Sequence, residues 1–216
     1  MKTLLIGATG GIGSRLLPML TAKGHDVVGL HRRKSQAEAI EKAGGQAVLG
    51  DLIEMSVAEL AEAASGCDAI IFSAGAAGSG AERTTAIDGE GPIKAVAAAR
   101  AVGVARLYLV SAFPEAGRGG EPKAGFEHYM TEKKRADVAV ASSDLDWVIL
   151  RPGKLLDTAG EGRIALGSAL PYGAVARDSV ARVLASLLQR PAICREIMEL
   201  TDGEVAVEEA VSRIAR

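Results

Sequence analysis

Short apolar runs alternate along the chain with longer amphipathic stretches, an alternation that predicts parallel strands joined by crossover helices. The runs at 3–7, 26–31, 46–50, 69–74, 106–111 and 147–150 are mostly unbroken Val, Ile and Leu. Strands without polar alternation suit a sheet covered on both faces, so the expected fold class is a doubly wound α/β sheet. Helices are expected over 12–23, 35–43, 56–64, 92–102 and 126–142, with Pro92 at a first helical position, where its missing N–H is no loss. After Arg151 the rhythm breaks into Gly- and Pro-containing segments up to about Gly173. A helix over 178–189, a short strand at 197–200 and a last helix follow.

The first run ends in Gly7-Ala8-Thr9-Gly10-Gly11-Ile12-Gly13, directly before an expected helix. A diphosphate can lie against a helix N-terminus only if the turn is tight and no side chain blocks the approach. The free N–H groups and the positive end of the helix dipole then face the anion. Gly7, Thr9, Gly10, Gly11, Ile12 and Gly13 are therefore candidate cofactor-binding residues. The spacing is GxxGxxG, which departs from the GxGxxG of the common dinucleotide fold.

The second strand ends in Gly29-Leu30-His31-Arg32-Arg33-Lys34-Ser35. An acid at this place would bond the ribose hydroxyls of NAD, whereas an Arg pairs with the additional phosphate of NADP. His31, Arg32 and Arg33 include no acid, and a guanidinium fork grips phosphate oxygens bidentately. NADP is the expected cofactor, in preference to NAD.

Composition narrows the classes further. With 216 residues and 48% hydrophobic content, one good core is expected, and no repeat or low-complexity linker divides the chain. A single domain is expected over 1–216, its residues 151–216 completing the substrate side. The formal charge of −2, the absence of long charge runs and an aromatic content of 3% argue against a nucleic-acid partner. Cys67 and Cys194 stand apart, without a CxxC pair or a His cluster, so neither a disulfide framework nor a metal site is expected. The apolar patch of the opening MKTLLIGATGG is too short for a signal-peptide core, and no stretch approaches a membrane span. A cytoplasmic protein acting on a small molecule, as a monomer or homodimer and without a membrane partner, is the expectation.

Further motifs carry a resemblance. VLGDL at 48–52, IIFSAG at 70–75, YLVSA at 108–112, YMTEK at 129–133 and LDWVILRPG at 145–153 follow GATGGIG in order. With them the chain resembles the short-chain dehydrogenase/reductase superfamily, in particular its atypical branch of small NAD(P)-binding proteins grouped as epimerases or dehydratases. The likeness covers nearly the whole chain and implies a single-domain Rossmann fold. It implies that Asp51 and Leu52 lie near the adenine, that Ser73, Ala74 and Gly75 pass under the cofactor, and that Pro152 and Gly153 approach the nicotinamide.

The superfamily's catalytic Ser, Tyr and Lys match Ser111, Tyr129 and Lys133. At i and i+4 on a helix, Tyr129 and Lys133 share one face. A phenol of pKa about 10 is a poor acid–base group at neutral pH, and a nearby ammonium favours its ionised form. Lys133 is expected to supply that charge and to bond the nicotinamide ribose, and Ser111 to hold the substrate oxygen. Where ordinary members carry a proton-relaying Asn, this chain has Asp88, a usual feature of the atypical group. It is either a catalytic residue or a turn and cap residue. The stretch 113–125, FPEAGRGGEPKAG, has the glycines of a mobile lid.

The resemblance implies an NADP-dependent oxidoreductase acting on a carbonyl or hydroxyl carbon of a small substrate. The alternatives are an NmrA-like redox sensor that binds NADP without turnover, an NAD(P)-dependent epimerase or dehydratase, and a reductase of flavins or tetrapyrroles. Nucleotide-sugar members usually carry a sizeable C-terminal substrate domain, and residues 152–216 are short for one. Sensors of the NmrA type usually lose the catalytic Tyr, so YMTEK favours an enzyme.

Overall fold

The computed structural model describes residues 1–117, 121 and 124–214. The first six strands are β1 (Lys2–Ile6), β2 (Asp26–His31), β3 (Gln46–Leu49), β4 (Ala69–Phe72), β5 (Arg106–Val110) and β6 (Asp146–Pro152). After them come β7 (Lys154–Leu156), β8 (Arg163–Gly167), β9 (Ala174–Ala176), β10 (Glu196–Asp202) and β11 (Val205–Ala206). The main sheet runs in the order β11-β8-β10-β6-β5-β4-β1-β2-β3, and β7 pairs with β9 separately. All its pairings from β3 to β10 are parallel, while β8 joins β10 and β11 antiparallel. This is a Rossmann fold with a mostly parallel sheet.

The unbroken apolar runs divide their side chains between two cores because successive strand residues point to opposite faces. Leu5, Ile71, Tyr108 and Val148 face one core. Leu4, Ile70, Leu107 and Ile149, each one residue away, face the other. The first core is closed by α1 (Gly13–Ala22), α7 (Arg177–Leu188) and α8 (Val207–Ser212), with Ile40 of α2 (Ala37–Lys42) at its edge. The second lies beneath α3 (Val57–Ala64), α5 (Gly91–Val102) and α6 (Ala124–Ala141). Ser56 caps α3 with a capping box: its Oγ accepts the Glu59 N–H at 3.2 Å, and Glu59 Oε2 accepts the Ser56 N–H at 2.8 Å.

Two stretches differ from the sequence expectation. Before Pro92 the chain forms α4 (Ala81–Thr84) and a π-helical turn over Thr85–Glu90 that runs directly into α5. Gly89 and Gly91 sit within these helical turns where a side chain has no room. A Cβ on Gly91 would stand 2.7 Å from Phe72 Cζ, and one on Gly89 would strike the Glu132 carboxyl. After Arg151, the segments expected to be irregular hold β7, β8 and β9. Their pairing is non-local: Leu166 of β8 faces Leu200 of β10, a partner that no local pattern announces.

The stretch expected as a lid runs through 118–120 and 122–123, which lie outside the described residues. Among the described residues, no helix is long and apolar enough to cross a membrane.

Candidate active site

β1 and β4 are neighbours whose crossovers leave in opposite directions, which leaves a crevice at the carboxyl ends of the strands. A cleft of ≈ 1050 Å³ opens there. Gly7, Thr9, Gly10 and Gly11 line it, together with His31, Arg32 and Arg33 of the turn after β2 and Tyr129 of α6.

The glycine turn is shaped by close approach. Gly7 has φ +89°, and a Cβ on it would lie 2.7 Å from the Ala74 nitrogen, so its bareness lets the turns after β1 and β4 touch. A Cβ on Gly13 would strike the Gly7 carbonyl and come within 2.9 Å of Ala8 Cα, so α1 can start against the turn only with glycine there. Gly10 closes the turn by donating its N–H to the Gly7 carbonyl at 2.9 Å. The N–H groups of Thr9, Gly11 and Ile12 meet no backbone carbonyl among the described residues. These free donors at a helix N-terminus fit a diphosphate. Gly13→Ala is expected to cost about 1–3 kcal/mol through overpacking, read as a lower urea midpoint at unchanged slope.

At the carboxyl end of β2, Arg32 and Arg33 are exposed, line the cleft and have no ion-pair partner among the described residues. His31 is buried, with Nδ1 3.0 Å from the Arg33 carbonyl, and so holds the shape of this turn. A residue the sequence did not single out, Gln36, takes the Arg33 N–H on Oε1 at 3.0 Å and donates from Nε2 to Thr9 Oγ1 at 2.7 Å. It ties the arginine turn to the glycine turn.

Gly50 and Leu52 line the cleft beside them, but Asp51 does not. Its carboxylate accepts the Ile53 N–H at 3.0 Å and borders a separate groove beside β3. The reason is local: a carboxyl two residues before a free N–H closes an Asx turn on itself. Ser73, Ala74 and Gly75 do line the cleft, and the Ser73 hydroxyl is spent on the Ile6 carbonyl at 3.2 Å.

The candidate catalytic residues divide between the cleft and the wall behind it. Tyr129 lines the cleft half-buried, its ring 5.9 Å from Phe126, and its hydroxyl meets no hydrogen-bond partner among the described residues. Lys133, one turn on, is buried: Nζ donates to the Val110 carbonyl at 2.9 Å and lies 3.9 Å from Asp88 Oδ1. Asp88 is buried too, and its Oδ2 accepts the Ala76 N–H at 2.9 Å. The carboxyl thus holds the turn after β4 while facing the lysine.

This placement corrects the expectation that Lys133 lowers the Tyr129 pKa. Burial first, then the charges of Asp88 and Asp137, push the phenol well above its ordinary value. These surroundings favour the neutral phenol over the phenolate. Burial also pulls Lys133 down from the usual lysine range, against the opposing pull of Asp88 and Asp137.

Ser111 is buried at the end of β5 and does not reach the cleft lining; its hydroxyl makes no hydrogen bond of ordinary geometry, though it is close enough to Asp137 to favour that carboxylate. Burial raises the Asp137 pKa, and Arg151, whose Nε donates to Oδ2 at 2.9 Å, opposes it. Asp88, Lys133, Asp137 and Arg151 form a charge-balanced group behind the tyrosine. Asp137 was legible in principle, since it stands four residues after Lys133 on the same helix face.

Pro152 and Gly153 are buried in the sheet and not on the cleft: Pro152 pairs with Leu200, and the Gly153 N–H donates to the Leu200 carbonyl at 2.9 Å. The strand continues two residues further than the sequence suggested, to Pro152, and Leu155 of β7 lines the cleft.

Residues 7–191 match a family model described as NAD(P)H-binding. The "Uncharacterized sugar epimerase YhfK" of Bacillus subtilis (strain 168) is 36% identical over 99% of this chain and 100% of its own length. Among solved structures, the oxidoreductase ylbE from Lactococcus lactis superposes with TM-score 0.86 at 25% identity, covering 99% of this chain and 96% of that one. ChuY, an anaerobillin reductase from Escherichia coli O157:H7, does so with TM-score 0.81 at 28% identity, covering 95% and 98%. A match over most of the chain, a switch-point cleft and a bare glycine turn agree: the chain belongs to the NAD(P)H-binding family of enzymes, and it fits the atypical branch of the short-chain dehydrogenase/reductase superfamily.

Proposed function

We propose that the protein is an NADP(H)-dependent oxidoreductase that exchanges a hydride between the nicotinamide and a carbonyl or hydroxyl carbon of a small substrate. The observation that carries this reading is the lining of one cleft by three features: the bare glycine turn, two arginines without an ion-pair partner among the described residues, and a tyrosine hydroxyl without a hydrogen-bond partner among them. Gly7 to Gly13 hold the diphosphate, and Arg32 and Arg33 the ribose phosphate.

When bound, the nicotinamide supplies or accepts the hydride. Tyr129 gives the substrate oxygen its proton during reduction, a role that suits a phenol kept neutral by burial and by the carboxylates behind it. Asp88 and Lys133 act from behind: they fix the Ala76 turn and the face of α6 from which Tyr129 projects. Phe126 and Leu155 contribute apolar surface that keeps water away from the reacting carbon.

Arg32→Ala and Arg33→Ala test the cofactor preference. Each loses charge-assisted bonds to a phosphate, so NADPH affinity should fall about 10- to 100-fold while NADH affinity stays within about twofold. The check is tryptophan or nucleotide fluorescence titration with both cofactors. An unchanged NADPH-to-NADH ratio in the double variant contradicts the phosphate assignment.

A second reading is favoured by the epimerase name of the Bacillus subtilis relative. The same residues serve a reaction in which hydride leaves a carbon and returns to it, with no net consumption of NADPH. Stereochemical analysis of the product separates the two.

A further inference from the structure

Beyond the residues assigned so far, a cation stands over the glycine turn. Arg177 follows β9 and opens α7, and its side chain crosses Gly11: a Cβ built on Gly11 would lie 2.7 Å from Arg177 Cδ and 2.8 Å from Nε. Its Nη1 is 2.9 Å from Asp157 Oδ2. The other oxygen of Asp157 faces Arg15 Nη2 at 3.5 Å, and Arg15 Nη1 donates to the Gly11 carbonyl at 2.5 Å. Two arginines and one carboxylate thus leave a net positive charge at the turn where the Thr9, Gly11 and Ile12 N–H groups meet no backbone carbonyl among the described residues.

The placement is set by the small sheet. Leu156, the last residue of β7, faces Ala176, the last of β9, and Asp157 and Arg177 directly follow the two strands. A register that brings this pair together beside Gly11 also carries a guanidinium into the lining of the cleft. Asp157 is mostly exposed, so the bond it makes to Arg177 is a weak surface pair that a stronger anion can replace. A dinucleotide's diphosphate is such an anion, and the guanidinium fork can take two of its oxygens.

We propose that Arg177 is a binding residue for the cofactor diphosphate, held over Gly11 by Asp157 until the cofactor arrives. The inference rests on the dinucleotide reading of the cleft and assigns to the C-terminal part of the chain a direct share in cofactor binding. It separates two anion sites: Arg32 and Arg33 for the ribose phosphate, Arg177 for the diphosphate.

The test compares wild type, Arg177→Ala and Arg177→Lys in their affinity for NADPH, NADH and adenosine 2′-monophosphate, which carries the ribose phosphate but no diphosphate. Arg177→Ala should weaken NADPH and NADH by the same factor, about 10- to 100-fold, and leave adenosine 2′-monophosphate unchanged. Arg177→Lys should recover part of the loss, because a single ammonium cannot pair bidentately. The ligand-free variants should melt within a few degrees of wild type. Unchanged dinucleotide affinities overturn the assignment, and so does an equal loss for all three ligands, which would mean a general distortion of the cleft. A wild type that binds NADH as tightly as NADPH overturns the NADP preference instead and leaves the Arg177 comparison readable on either dinucleotide.

Discussion

Replacing Tyr129 with Phe is expected to lower kcat by about 10²- to 10⁴-fold, the usual contribution of a positioned proton donor, while NADPH affinity stays near that of the wild type. The side chain keeps its ring against Phe126 and loses only the hydroxyl, which makes no hydrogen bond within the described protein. Little stability should be lost with it. The effect belongs in kcat because the proton moves only as the substrate oxygen gains charge. Because the phenol is pushed above its ordinary value, the wild-type reduction rate should show no alkaline fall from Tyr129 below about pH 10. Steady-state kinetics from pH 6 to 10 on both proteins check the loss and the flat profile together.

The largest stability effect is expected at Lys133. Lys133→Met leaves the buried Asp88 carboxyl without its cation and removes the donor to the Val110 carbonyl. Breaking a buried pair on one side costs about 3–5 kcal/mol. Removing both charges together leaves no unpaired charge at Asp88, though the Val110 carbonyl still lacks its donor, so the double variant Lys133→Met with Asp88→Asn should recover a large part of the loss. Urea unfolding of the two single variants and the double variant forms a cycle that measures the coupling. Strict additivity would mean that the 3.9 Å approach of Lys133 and Asp88 contributes nothing. Cofactor binding should weaken in the Lys133 variant as well, because Asp88 also holds the Ala76 turn that lines the cleft.

Much of the frame was legible in the sequence because its signals are local. Unbroken apolar runs become strands buried on both faces, Ser56 and Glu59 announce the start of α3 three residues apart, and a bare glycine turn marks the switch point. The arginine turn was legible for the same reason, since its chemistry depends on residue type and on its place after β2. What the sequence did not reveal depends on packing between distant elements. The helical turns before Pro92 went unread, and in them Gly89 and Gly91 are contact points for Glu132 and Phe72. Lys133 was carried over from the superfamily resemblance as the partner of Tyr129, yet its ammonium meets the Val110 carbonyl and lies 3.9 Å from Asp88. Pro152 and Gly153 were carried over from a motif, while pairing with Leu200 of β10 holds both beside the sheet, and Leu155 of β7 lines the cleft. Arg177 had no sequence signal, because only the pairing of β7 with β9 brings it to Gly11.

The central claim is that Tyr129 delivers a proton in an NADPH-dependent reduction. It is tested most directly by following NADPH oxidation by the purified protein against aldehydes, ketones, quinones and flavins, side by side with Tyr129→Phe. The account predicts turnover of at least one carbonyl class that falls by about two orders of magnitude or more in the variant, with NADPH binding retained in both. Equal turnover by the two proteins would contradict the role of Tyr129. No turnover by a wild type that binds NADPH tightly would contradict the oxidoreductase itself and point to a protein that binds the dinucleotide without consuming it.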